Sequence, residues 1–163
     1  METEDGLLRA ALGAVPLRLD PAKVRLHRSD HGGALGRLHR AVLRLSRGRA
    51  IALGNHVFLP DRCERDPAIL AHELTHCAQY QAWGPWRYYR RGAAAQLRDL
   101  LHRTLGLCDS PYAYRLEGGK PFEAYGMEQQ AQMVEDRVRG RCEDAALTAR
   151  AAAPARPRPA SGP

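Results

Sequence analysis

The chain has 163 residues, 44% of them hydrophobic and 26% charged, which suits one folded domain of ordinary size and excludes a chain too polar to build a core. No run approaches the roughly eighteen uninterrupted apolar residues of a membrane span, and the acidic start Met1-Glu2-Thr3-Glu4-Asp5 lacks the basic and apolar regions of a secretory signal, so a cytoplasmic chain is expected. Twenty-five basic against 18 acidic residues give a net charge of +7, but the arginines are spread along the whole length, so the excess reads as a solvated surface and nucleic acid is not an expected partner.

In chain order, Gly6–Val15 is Leu/Ala-rich and predicts a short helix that Pro16 and Pro21 end. Val24–His27 reads as a brief extended piece, and Asp30-His31-Gly32-Gly33 as a turn. Leu35, Leu38, Val42 and Leu45 stand at helical spacing and predict a helix from about Ala34 to Leu45. Two apolar runs between Ala50 and Leu59 flank Gly54-Asn55, the pattern of strand, bend and strand.

Asp66 is a capping residue and Pro67 fits a first helical position, so a helix is expected from there to Trp83, before Gly84-Pro85. Another is expected over Tyr89–Leu105, then an irregular stretch from Cys108 to Pro121. A last helix should begin near Phe122 and run past Arg139, with Gly140 a weak point. Beyond about Thr148 the chain is Ala-, Arg- and Pro-rich and cannot bury apolar area, which predicts a disordered tail. The four cysteines, Cys63, Cys77, Cys108 and Cys142, form no C-x-x-C pair and are expected as reduced thiols.

His72-Glu73-Leu74-Thr75-His76 is an H-E-x-x-H motif inside the Asp66–Trp83 helix. Residues four apart share one helix face, so both imidazoles can reach a single metal ion, while Glu73 can reach a water without itself binding the metal. Zinc at such a site acidifies its water and polarises a carbonyl, the chemistry of peptide hydrolysis. A third protein ligand is required. Gln79 and Ala82 exclude a third histidine downstream on this helix, which leaves a glutamate of the last helix: Glu123, Glu128, Glu135 or Glu143.

The run Leu70-Ala71-His72-Glu73-Leu74-Thr75-His76-Cys77-Ala78-Gln79, with Tyr125-Gly126-Met127-Glu128-Gln129-Gln130-Ala131 further on, resembles the DUF4157 or eCIS-core zinc metallopeptidases. It is most similar to relatives found beside Rhs, VgrG and other contractile-injection genes; Tyr112-Ala113-Tyr114-Arg115-Leu116 has the look of that subgroup, and the similarity spans about Val24 to Arg139. The resemblance implies a zincin-like α+β, mostly helical domain over residues 1–147, with a strand pair before the motif helix and the tail at 148–163. It implies His72, His76 and Glu128 as zinc ligands, Glu73 as the catalytic residue and a peptide or protein as substrate. It also implies injection-system proteins as partners, with export by such a machine as the alternative to a cytoplasmic life. A non-catalytic, metal-stabilised adaptor is one rival function, and a basic nucleic-acid-binding protein that happens to contain the motif is the other.

Three features near the motif complete the reading. Ala131, three residues after Glu128, is small enough to let the two helices approach closely. Position 132, where many such hydrolases place an Asp that bonds a ligand histidine, is Gln132; Glu135 or Asp136 are the residues able to supply the missing charge. Gln79 shares the histidine face and can orient a ligand or bridge helices, and Tyr112, Tyr114, Tyr125 and His102 are candidate oxyanion donors. Trp83, Trp86, Tyr88 and Tyr89 are expected to pack a helix corner, with a nucleic-acid or membrane-surface patch, together with Arg87, Arg90 and Arg91, as the alternative reading.

Overall fold

The computed structural model describes residues 4–28, 33–106, 109–117 and 119–141. Five helices, α1 (Glu4–Ala14), α2 (Gly33–Leu45), α3 (Pro67–Trp83), α4 (Pro85–Leu105) and α5 (Met127–Val138), accompany three short strands, β1 (Arg25–His27), β2 (Ile51–Leu53) and β3 (His56–Phe58). This is the expected mostly helical α+β architecture. The turn expected at Asp30–Gly32 and the tail from 148 lie outside the described residues.

The core forms around α3. That helix is apolar on nearly every side and has no solvent face wide enough to matter, so it is buried along most of its length. Leu70, Ala71, Leu74 and Cys77 pack with Leu7 and Ala11 of α1, with Val57 and Leu59 of the sheet side, and with Met133 and Val134 of α5. Asp66 caps α3 by accepting from the backbone N–H groups of Ala68 and Ile69 at 3.0 and 3.3 Å, and Pro67 occupies the first turn, where a missing N–H costs nothing.

The expected strand pair is present as β2–Gly54-Asn55–β3, antiparallel, with Leu53 opposite His56. Gly54 has φ 64°, and a Cβ there would stand 3.2 Å from the Tyr80 ring, so the turn both needs glycine's backbone and packs directly on α3. The extended piece before Arg28 becomes a third strand: β1 runs parallel to β3, giving the order β1-β3-β2 and leaving β2 as the edge strand beside α3.

Three boundaries or faces differ from expectation. The helix expected at Tyr89 begins at Pro85: Gly84, at φ 76°, ends α3 by donating to the Tyr80 carbonyl at 2.9 Å and starts α4 by accepting from Tyr88 N–H at 3.1 Å, with Pro85 at a position that suits proline. The helix expected from Phe122 begins at Met127. Phe122–Ala124 forms a 3-10 turn, Tyr125 is extended, and Gly126 opens α5, its N–H satisfied by Oε1 of Gln129 at 2.9 Å. Its last residue is Val138, and Gly140 adopts φ 68° just beyond. In α2 the leucine stripe is not the buried face: Gly36, His39 and Val42 point inward, and Leu35, Leu38 and Leu45 are exposed. His39 decides this, its Nε2 lying 2.9 Å from the Leu59 carbonyl in a buried hydrogen bond.

Candidate metal centre

One turn apart on α3, His72 and His76 turn their rings toward α5, with centroids 5.0 Å apart and planes at 74°. Glu128 enters from the first turn of α5, where the helix dipole favours a carboxylate. Its Oε2 lies 3.4 Å from Nε2 of His76 and 3.9 Å from Nε2 of His72. Three donors held to one ion at about 2.0–2.1 Å in tetrahedral geometry stand about 3.3 Å apart, so the spacing suits a small divalent metal. Among the described residues this is the one group of three or more His, Cys, Asp or Glu side chains arranged to hold a metal ion. Glu123 is exposed in the 3-10 turn and is not part of the group; Glu143 lies outside the described residues.

Each histidine is braced through its other nitrogen. Nδ1 of His76 lies 2.9 Å from Oε1 of Gln79, whose Nε2 donates to the Met127 carbonyl and to Oε1 of Gln130, both at 3.0 Å. Gln130 in turn donates to the Tyr125 carbonyl at 2.9 Å. This fully paired, buried amide chain both orients His76 and bolts α3 to α5. Nδ1 of His72 lies 3.2 Å from Oε2 of Glu135, at ion-pair distance but without the alignment of a good hydrogen bond. Glu135 therefore supplies the charge that Gln132 lacks. Gln132 instead donates to Oδ1 of Asp136 at 3.0 Å. Glu135 is itself held by Arg139 Nε at 3.0 Å, and Arg139 reaches Oδ2 of the cap residue Asp66 at 2.9 Å, so the start of α3 is tied to the histidine it presents.

Glu73 points into the same cleft and is buried. Burial raises its carboxyl above the ordinary range, and Glu128 adds to this; the two histidines and a hydrogen bond from the Ala52 backbone work the other way and do not overcome it. For His76, burial disfavours the charged ring, but the Glu128 carboxylate outweighs it and lifts the imidazole to about 9. For Glu128, burial pushes upward while His76 and His72 pull harder and leave it below its usual value.

The cleft has a volume of about 690 Å³ and is bounded by β2, by Tyr88 and Tyr89 of α4, and by Arg49 and Tyr112. Tyr88 was not expected here. Its buried hydroxyl donates to the Ala52 carbonyl at 3.0 Å, placing it beside Glu73. The early start of α4 is what brings it there, and reading Gly84-Pro85 as a joint between two helices, with Pro85 in a first turn, is the signal that finds it. Of the candidate oxyanion donors, only Tyr112 lines the cleft. The Tyr114 hydroxyl donates to Asp136 at 2.8 Å, and the Tyr125 hydroxyl accepts from the Glu117 N–H at 3.0 Å. Cys77 faces the core, where burial lifts its thiol to about 12.

An α+β fold with two histidines and a glutamate poised around one point defines a candidate metal-binding protein. Residues 9–84 match the family model described as the eCIS core domain, so the resemblance read from the sequence is borne out over that stretch. The matched residues include His72, Glu73 and His76 and end before Glu128. The match associates the chain with extracellular contractile injection systems. No curated protein and no solved structure matches it. No described helix is long and apolar enough to cross a membrane.

Proposed function

We propose that the chain is a zinc-dependent peptidase associated with a contractile injection system. The observation that supports this most is the meeting of His72, His76 and Glu128 around one point, with a non-ligand carboxylate, Glu73, opening into the same cleft. Two imidazole nitrogens and a carboxylate oxygen are a donor set that suits zinc and leaves room for a fourth ligand. When bound there, such an ion supplies Lewis-acid polarisation of a carbonyl and acidification of water.

The chain's own groups then have distinct tasks. Glu73 accepts a proton from the attacking water at its carboxylate and returns it to the leaving amine. Gln79 and Glu135 hold the two rings by their Nδ1 atoms, so that both Nε2 atoms face Glu128. Tyr112 is the hydroxyl best situated to donate to a developing oxyanion. The experiment is hydrolysis of a quenched fluorescent peptide by zinc-loaded protein and by Glu73→Gln, with zinc content measured on both. Activity lost with zinc retained is expected; equal activity in the two proteins refutes the assignment.

A second reading, a metal-stabilised adaptor without hydrolysis, is favoured by one observation. Ala52, at the centre of the edge strand, has its carbonyl taken by Tyr88 and its N–H by Glu73, so neither group is free to pair with an extended peptide. Absence of hydrolysis together with a large loss of stability on zinc removal is the outcome this reading expects.

A further inference from the structure

Helix α4 is built the wrong way round for a helix that only packs on its own domain. The residues it buries fully are Tyr88 and Asp99, with Arg91, Gly92, Ala95 and Leu101 half-buried alongside. Its exposed face carries Trp86, Tyr89, Ala93, Leu97 and Leu100, which recur every three or four residues and form one apolar stripe; Tyr89 and Ala93 also line the metal-site cleft, so the stripe runs along the rim of that cleft. Trp86 is 81% exposed, Tyr89 49%, Leu97 58% and Leu100 52%. The stripe extends over about 21 Å at 1.5 Å per residue. An apolar surface of this length on one helix marks an interaction site.

Its flank and its relief indicate the occupant. Arg87, Arg90 and Arg98 border the stripe on one side, and Arg91 stacks on the Trp83 ring at 4.4 Å. Arg87 and Arg90 make no ion pair among the described residues, and both repel Arg91. The middle of the helix, Gly92-Ala93-Ala94-Ala95, has no side chain longer than a methyl. Bulky ends around a shallow waist let a crossing helix settle close to the backbone, by ridges into grooves, whereas insertion into a lipid surface needs large apolar groups throughout. A second copy of the same face would set arginine against arginine. The segment from 142 onward holds a single large apolar residue, Leu147, and lacks an apolar stripe of its own.

We propose that the outer face of α4 docks an acidic amphipathic helix of another protein. This does not depend on whether the metal centre is catalytic. The probe is a designed helical peptide as long as α4, with leucines at every third and fourth position and glutamates elsewhere, and a matched peptide with lysines in place of the glutamates. Full-length protein is titrated with each, following tryptophan emission and peptide anisotropy. The glutamate peptide is expected to bind with a blue shift, from burial of Trp86, and the lysine peptide to bind at least about tenfold more weakly. Leu97→Ser with Leu100→Ser should weaken binding by about tenfold or more, whereas Leu38→Ser, on the exposed face of α2, should not change it. Arg87→Glu with Arg90→Glu should reverse the preference between peptides. Both changed sites on α4 are solvent-facing, and circular dichroism checks that the fold is kept. The proposal is overturned if the glutamate peptide fails to bind, or if the stripe variants bind it like wild type. It is equally overturned if the stripe residues instead govern self-association or binding to vesicles of anionic phospholipid.

Discussion

The amide oxygen of Gln79 lies 2.9 Å from Nδ1 of His76, three residues earlier on the same buried helix. Because the amide nitrogen of Gln79 already donates twice, its oxygen is left to accept from Nδ1–H of His76, which turns Nε2 toward Glu128. One side chain thus sets the orientation of a ring and an interhelical joint together.

Gln79→Leu should therefore do two things at once. It strands Oε1 of Gln130 without its donor, at about 1–3 kcal/mol for a buried group left unpaired, and removes the second bond to the Met127 carbonyl, which keeps its place in the helical ladder. It also releases the His76 ring, which should weaken metal binding by about 10- to 100-fold. Chelator competition and urea denaturation of the metal-free protein separate the effects. Gln79→Glu, which keeps the acceptor for His76 and loses the donor, should retain more metal affinity than Gln79→Leu while still losing stability.

Glu128→Ala should abolish stoichiometric zinc by elemental analysis, whereas Glu123→Ala, in the exposed turn before Gly126, should leave it unchanged. Equal zinc in wild type and Glu128→Ala would remove the carboxylate from the ligand set.

Glu135→Gln tests the charge that reaches His72 in place of the expected aspartate. The amide still spans the 3.2 Å to Nδ1 but carries no charge and weakens the link to Arg139, so metal affinity should fall by about 10-fold. Gln132→Ala, which removes a group bonded to Asp136 and not to the ring, should leave metal affinity within about twofold.

Much of this centre is legible in the sequence because its signals are local. Asp66-Pro67 and Gly84 bound α3, and the four-residue spacing alone puts His72 and His76 on one face. The rest depends on partners far along the chain. Position 132 sits four residues after Glu128, yet the orientation of α5 brings the residue one turn further, Glu135, to His72, and spacing along one helix cannot fix that rotation. β1 becomes a strand only by pairing with β3, about thirty residues away. In α2 a buried hydrogen bond from His39 to Leu59 outweighs the exposure of three leucines, which a hydrophobic pattern cannot anticipate.

Asp136 anchors the irregular stretch before α5. Its carboxylate accepts from Tyr114 at 2.8 Å, from Gln132 at 3.0 Å and from Arg141 at 2.7 Å. Partial burial pushes its pKa up, but the hydrogen bonds from Arg141, Tyr114 and Gln132 win and hold it below the usual aspartate value. A carboxyl depressed in the folded state contributes stability that is present above its unfolded pKa of about 3.9 and is lost as pH falls through the folded value. Tyr114→Phe should thus cost about 1 kcal/mol at pH 7 and progressively less below about pH 4, measured by urea denaturation. An undiminished cost at low pH would mean that Tyr114 acts through packing alone.

Tyr88→Phe discriminates between the two functional readings. The hydroxyl gives up one buried hydrogen bond to the Ala52 carbonyl, so the variant should lose about 1 kcal/mol of stability in either case. If the edge strand receives an extended peptide, freeing that carbonyl exposes an acceptor for it, and kcat/KM on the quenched peptide should rise, mainly through KM. For an adaptor, wild type and variant alike give no turnover, and the only change is in the denaturation midpoint. A fall in kcat with KM unchanged would instead give the Tyr88 hydroxyl a role in the transition state.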